Sequence, residues 1–265
     1  MEKITMLGTG HGFTFDLFNT CFLLENDKQN FLVDTGGGVE IVKNLNTKGF
    51  KLTNIHDIFI SHCHTDHILG LAWILKKVSG YYIQGYEGKL NIYGNEEVTK
   101  AVKNIYYSVL PKKKIQIINE KLNFHTLKDN ETLEIAGEKI TFFDAHASKN
   151  LLYGFETILH NGKKLIFLGD ETCNPDIYNR LIGADYVMHE AFCLDAEEEK
   201  FKPFEKHHST VKSVCVEMNK LNIKNLILYH TEESHKDKKE LYTKEAKQYF
   251  DGNVIVPNDL DEIVL

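Results

Sequence analysis

Four side chains able to hold metal ions, His62, His64, Asp66 and His67, stand within six positions of one another in the run Ile58-Phe59-Ile60-Ser61-His62-Cys63-His64-Thr65-Asp66-His67-Ile68-Leu69-Gly70. Neutral imidazole is the commonest metal ligand, and nitrogen and oxygen donors at this density suit zinc and similar divalent ions. The β-branched and aromatic stretch Asp57-Ile58-Phe59-Ile60 reads as a buried strand, and the apolar stretch 68–75 reads as a helix. The donors therefore lie on a strand-to-helix turn. His62 and His64 point the same way, because side chains in an extended segment alternate with period two. Asp66 and His67 follow the start of the turn and address a second point in space. One short loop can thus offer imidazoles to one metal and a carboxylate plus an imidazole to its neighbour. The same alternation turns Cys63 away from the metals, into the core.

The flanking elements must hold this loop. A strand at 3–7 leads into the glycine-rich turn Gly8-Thr9-Gly10-His11-Gly12. That turn lacks the strand–loop–helix context of a dinucleotide site, because more strands follow. His11 reads as a loop histidine without a catalytic role. Strands at 20–25 and 31–34 form a hairpin across Asn26-Asp27-Lys28-Gln29-Asn30, then Asp34-Thr35-Gly36-Gly37-Gly38 opens a helix over 39–47. Downstream come a strand at 90–94 and a helix over 96–109 capped by Asn95. Short strands are expected at 115–118, 122–127 and 132–135. The strand 139–144 runs into Ala145-His146. The segments 151–160 and 163–169 pair across Asn161-Gly162, a type I′ turn signal, and end at Gly169-Asp170. A strand over 185–192 carries His189-Glu190-Ala191-Phe192, and residues 195–206 read as a charged loop. His207-His208-Ser209-Thr210 opens a helix, and a strand at 225–229 ends at His230. A helix over 239–250 and a strand at 253–256 close the pattern.

Composition sets the outer bounds. The chain has 265 residues, 42% hydrophobic and 26% charged, with 4 Pro and no linker-like stretch, so one domain over 1–265 is expected. The net charge of -7 counts against nucleic acid as the main partner, although Lys112-Lys113-Lys114 and Lys236-Asp237-Lys238-Lys239 are local basic runs. No stretch is apolar enough to span a bilayer or serve as a signal peptide, so no membrane partner is expected. The 5 scattered cysteines read as free thiols in a reducing cytoplasm.

The run His62-Cys63-His64-Thr65-Asp66-His67 resembles the signature of the metallo-β-lactamase-fold metallohydrolases. The resemblance covers nearly the whole chain, since that family requires a third His, a bridging carboxylate and a last His in that order, and His146, Asp170 and His230 follow. It implies an α/β fold: a four-layer αββα sandwich of two mixed β-sheets flanked by helices, with two metals at one edge. His62, His64 and His146 would hold one metal and Asp66, His67 and His230 the other, with Asp170 between them. Asp34 matches the carboxylate that buttresses the metal loop. The implied cofactors are two divalent ions, zinc first, with manganese or iron as alternatives.

Two further motifs point to the ribonuclease Z-like branch. His189-Glu190-Ala191 and His208-Ser209-Thr210, followed by Leu226-Ile227-Leu228-Tyr229-His230, resemble its segments. That branch implies a phosphodiesterase acting through a metal-bridging hydroxide, with Asp66 orienting the nucleophile. His208, held by Glu190, would protonate the leaving group, and His207 is the alternative acid. Ribonuclease Z carries a tRNA-gripping arm between its third His and bridging Asp, whereas here one hairpin joins His146 to Asp170. The expected substrate is accordingly a small or cyclic phosphodiester ahead of an RNA 3′ end. The other reading is a thioester, lactone or lactam hydrolase on the same centre. The family also suggests a homodimer.

Overall fold

A computed structural model describes residues 2–26 and 29–265. In the expected hairpin turn, Asp27 and Lys28 lie outside the described residues, and the amide of Asn26 meets the carbonyl of Gln29 at 3.2 Å across it. The strands β1 (Lys3–Gly8), β2 (Cys21–Glu25), β3 (Asn30–Val33), β4 (Asp57–Phe59), β5 (Leu90–Gly94) and β6 (Leu122–Thr126) form one sheet. The strands β7 (Thr132–Ile135), β8 (Glu138–Asp144), β9 (Tyr153–Ile158), β10 (Lys164–Phe167), β11 (Tyr186–Glu190), β12 (Asn225–Tyr229) and β13 (Asn253–Ile255) form the other. The last strand, β14 (Glu262–Val264), returns to the first sheet beside β1. Each sheet is antiparallel at one end and parallel at the other. The parallel runs are β3–β4–β5–β6 and β10–β11–β12–β13.

The helices α1 (Glu40–Thr47), α2 (Thr65–Ile83), α3 (Glu96–Val109) and α4 (Lys112–Lys121) cover the first sheet. The short α5 (Tyr178–Leu181) and α6 (Glu198–Phe201), with α7 (Val211–Lys220) and α8 (Lys238–Ala246), belong to the second half of the chain. Strand alternation sorts the apolar residues into layers. Met6, Phe22, Phe31, Phe59, Phe142, Phe155 and Phe167 share one core between the sheets. Leu23, Leu32, Ile58 and Ile60 pack with Ile68, Leu71 and Val102 on one outer face, and Ile166, Val187 and Leu228 pack with Val214, Met218 and Tyr242 on the other. This is the expected αββα sandwich.

Three local expectations need correction. Residues 115–118 belong to α4, not to a strand. The isoleucines that suggested a strand are spaced so that Ile118 is buried while polar residues between them face out, and Pro111 at the N-cap position starts a helix. The loop after β9 is not type I′, because of its residues only Gly162 has a positive φ (+83°). The amide of Gly162 bonds the Leu159 carbonyl and Leu159 N–H bonds Lys163 O, which is a type I turn followed by a left-handed glycine. The charged stretch 195–206 holds single turns of helix, among them α6.

The helix carrying the metal loop is seated by a glycine. A Cβ on Gly70 would lie 1.9 Å from the Thr35 carbonyl oxygen, and the Gly70 amide donates to Gly36 O at 2.8 Å. Only glycine lets the first turns of α2 press against the Asp34–Gly36 segment. Among the described residues, no helix is long and apolar enough to cross a membrane.

Candidate metal centre

All the expected site residues but His146 gather at the carboxyl ends of the parallel strands, where open α/β sheets place their ligands. His62 follows β4, Asp170 follows β10, Glu190 ends β11 and His230 follows β12. Asp66 and His67 occupy the first turn of α2, whose N-cap position is His64. Two groups of donor atoms result, each within 4.8 Å: Asp66, His67, Asp170 and His230, and beside them His62, His64 and Asp170. His62, His67, Asp170 and His230 are each at most 3% exposed.

Asp170 belongs to both groups and presents a different oxygen to each. Its Oδ1 lies 3.4 Å from His62 Nε2, while its Oδ2 lies 3.1 Å from His67 Nε2 and 3.5 Å from His230 Nε2. His67 Nε2 is also 3.1 Å from Asp66 Oδ2. His67 Nε2 and Asp170 Oδ1 are buried without a hydrogen-bond partner. Buried polar atoms left this way are costly. Converging imidazole nitrogens and carboxylate oxygens are the donor set of a dinuclear zinc-type centre, so these residues fit two divalent ions.

The outer ring nitrogens are fixed by neighbours. Asp34, 1% exposed, accepts from His67 Nδ1 and from the Ser61 hydroxyl with Oδ2, and from the Ser61 amide with Oδ1, all at 2.8 Å. Because Ser61 must donate to this carboxylate, its oxygen accepts from His62 Nδ1 at 3.0 Å. His230 Nδ1 meets the Thr20 hydroxyl at 3.2 Å. With Nδ1 engaged in this way, both rings turn Nε2 toward the donor cluster, where His62 Nε2 meets His64 Nδ1 at 2.8 Å; partners behind the rings orient imidazoles for metal in this manner. Asp34 takes the role expected of it. Ser61 and Thr20 were missed, because nothing in a lone Ser or Thr signals what its hydroxyl will meet.

Electrostatics support one shared charge cluster. Burial alone would raise the Asp170 carboxyl, but His62, His67 and His230 hold it well below the usual range, and His67 does the same to Asp66. Burial disfavours charge on His67, yet Asp66, Asp170 and Asp34 raise its pKa well above normal. Burial pushes His62 down to about 4 and His230 to about 3.

His146 is not brought to this centre. It has a left-handed backbone (φ +54°), its side chain is 48% exposed, and its Nδ1 lies 3.8 Å from Asp144. The Asn174 amide bonds the His146 carbonyl at 3.1 Å, holding the loop outward. His64 turns Nδ1 toward His62 Nε2 at 2.8 Å, and its outer nitrogen, Nε2, meets the Asn150 side-chain amide, a neighbour that the sequence did not announce.

His208 and Glu190 face each other at the edge of the cluster. The His208 ring is 5.2 Å from that of His230 and stacks on Phe192 at 5.4 Å. His208 Nδ1 stands 3.8 Å from Glu190 Oε2, too long for the expected hydrogen bond. Burial of Glu190, which is 0% exposed, raises its carboxyl well above normal, and burial lowers His208. His207 is exposed and bonds Ser148, so of the two candidate acids His208 is the one at the centre. His11 packs edge-on against Phe192 at 4.7 Å and is 6.4 Å from the His230 ring, at the site mouth. A groove of about 750 Å³ opens beside Asp66, lined by Gly12, Phe15, Asn19, Lys43 and Leu260 among others.

A family model described as "Anti-Pycsar protein Apyc1" matches residues 2–251. A protein named ribonuclease Z from Archaeoglobus fulgidus is 24% identical over 96% of this chain and 94% of its own length. The metallo-β-lactamase-fold protein YhfI from Bacillus subtilis superposes with a TM-score of 0.77 at 18% identity, covering 99% of this chain and 98% of that one. A diphosphatase of the PhnP family superposes with a TM-score of 0.75 at 18% identity, covering 100% and 98%. With a dinuclear donor set on a metallo-β-lactamase fold, the chain is a metal-dependent hydrolase of the ribonuclease Z-like kind and belongs to the family described as anti-Pycsar protein Apyc1.

Proposed function

We propose that the protein hydrolyses small or cyclic phosphodiesters. The observation that carries this reading is the Asp170 carboxylate, which turns one oxygen to His62 and the other to His67 and His230. A carboxylate so placed would serve two ions, one through each oxygen. The proposed ligands are His62, His64 and His146 for one metal and Asp66, His67 and His230 for the other. His146 joins by an inward move of its loop. The contacts holding it out are two hydrogen bonds between the His146 backbone and the half-buried side chains of Asp144 and Asn174, each worth roughly 0.5–1.5 kcal/mol, which the move gives up.

When bound, two divalent ions lower the pKa of water toward neutrality and offset charge on the phosphoryl oxygens. Asp66 then orients the nucleophile and takes its proton. His208 donates a proton to the leaving oxygen, with Glu190 behind it as positioning partner. A separation of 3.8 Å in the free protein is compatible with this, because catalytic hydrogen bonds often tighten only with substrate. Lys206 lies over the Phe192 ring at 5.3 Å, and Lys149 bonds the Lys206 carbonyl at 2.5 Å. These cations stand on the His208 side, where a phosphodiester would bring negative charge.

Substrate size is argued from the chain. The hairpin β9–β10 is all that separates the His146 loop from Asp170, so no RNA-gripping arm is inserted there. Zinc is the proposed metal, from the imidazole-rich donor set. All five cysteines are free thiols, which favours a reducing cytoplasm, and a homodimer follows the family resemblance. The test is a turnover assay of zinc-loaded protein on small linear phosphodiesters, cyclic phosphodiesters, carboxylic esters and a 3′-extended precursor tRNA. Cleavage of the small phosphodiesters alone is expected. Cleavage of tRNA alone, or of esters alone, would overturn the reading.

A further inference from the structure

A second cluster of metal-ligating groups lies outside the dinuclear centre. Glu197, at the end of a helical turn (Asp195–Glu197), meets Glu232 and His235, which lie between β12 and α8. One donor atom from each of the three lies within 4.8 Å of the others. His235 Nε2 is 3.0 Å from Glu197 Oε1. Glu232 is 3% exposed. Its Oε2 accepts the Ser234 amide at 2.6 Å, but its Oε1 is buried without a partner, and so is Oε2 of Glu197.

Two carboxylates with orphan oxygens facing one imidazole form a poor arrangement unless a positive charge completes it. Two cations stand nearby, and the charge of the buried Lys238 reaches Glu232, but neither bonds the orphan oxygens. The Lys238 ammonium is directed to the Thr9 and Thr231 hydroxyls at 2.8 and 3.0 Å, and Lys200 stands 3.6 Å from the Glu197 oxygen already shared with His235. We propose that Glu197, Glu232 and His235 bind a divalent cation of the zinc or manganese type, separate from the dinuclear centre. One imidazole and two carboxylates are an ordinary N/O donor set for such ions, with water completing the shell.

The placement gives the ion a structural task. Glu232 follows His230 by two residues, and its amide donates to the Phe192 carbonyl at 2.8 Å. Phe192 carries the ring on which His208 stacks. A cation here would tie the 231–237 loop to the segment 192–197 and so fix both His230 and His208 from behind.

The inference does not depend on which substrate is cleaved, and its test counts metal. The variant Glu197→Gln/His235→Ala changes only part-exposed side chains, so the sandwich is kept. Zinc is added to chelator-stripped wild type and variant, excess is removed, and bound zinc per chain is measured by plasma mass spectrometry. The variant is expected to hold one equivalent fewer. Equal contents overturn the proposal. Zinc-edge anomalous diffraction from wild-type crystals supplies a second readout: a peak among Glu197, Glu232 and His235 supports the site, and peaks confined to the dinuclear centre overturn it.

Discussion

Replacing Asp34 by Asn should weaken both active-site metals at once, although Asp34 touches neither. The backbone at Asp34 is left-handed (φ +55°), a conformation Asn tolerates well, and the side chain keeps its size. What changes is the direction of two hydrogen bonds. In the wild type, Oδ2 accepts from both His67 Nδ1 and the Ser61 hydroxyl at 2.8 Å, and Ser61 in turn accepts from His62. In the variant, Oδ1 still accepts the Ser61 amide, so the NH₂ group stands where Oδ2 was and donates to both partners. His67 must then accept at Nδ1, and the Ser61 hydroxyl rotates to donate to His62. Both rings now carry a proton on Nε2, the nitrogen that faces the site. Loss of such a partner typically costs roughly 10–100-fold in metal affinity, or about 1.4–2.7 kcal/mol. The assay is zinc competition against a chromophoric chelator at fixed pH. Both active-site equivalents should weaken in Asp34→Asn, whereas Ser61→Ala, which breaks only the relay to His62, should weaken one. Wild-type zinc affinity in Asp34→Asn would refute the reasoning.

Three further outcomes are expected. His146→Ala should lose one active-site metal, read by plasma mass spectrometry; unchanged metal content would leave His146 outside the shell, where the structure places it. His208→Ala should slow phosphodiester turnover by roughly 10²–10⁴-fold with metal content unchanged, and loss of metal instead would make His208 a ligand. Zinc binding near neutral pH should release protons. The carboxylates keep His67 charged above its ordinary range, and ligation needs the neutral ring. Zinc affinity should therefore fall as pH falls, and titration calorimetry in buffers of different ionisation enthalpy should show the release. The same shift has the opposite effect on the metal-free protein. A raised His67 stabilises it fully below the unfolded pKa of about 6.5, and that contribution fades as pH rises through the folded value.

Much of the candidate site was legible because possible metal ligands show themselves in residue type and order. His62, His64, Asp66 and His67 sit on one turn, and the strand ends at Asp170 and His230 could be found from apolar runs that stop at a donor. The αββα layering came from the family resemblance, and the apolar runs located its strands. Three kinds of feature were not legible. The α4 helix looked like a strand because isoleucine favours sheets, and tertiary packing against α2 decided otherwise. The Asn161-Gly162 loop has the residues of one turn and the φ angles of another. The relay through Ser61 and Thr20, the amide of Asn150 at His64, and the outward turn of His146 depend on contacts between distant segments, which spacing along the chain does not encode.

The most direct measurement is turnover of a cyclic phosphodiester by chelator-stripped protein as zinc is returned, with wild type and Asp170→Asn side by side. If Asp170 joins two metals that carry out the hydrolysis, stripped wild type is inactive and recovers with zinc, while Asp170→Asn, folded by circular dichroism, does not recover. Turnover by the stripped protein, or full recovery in Asp170→Asn, would contradict the account.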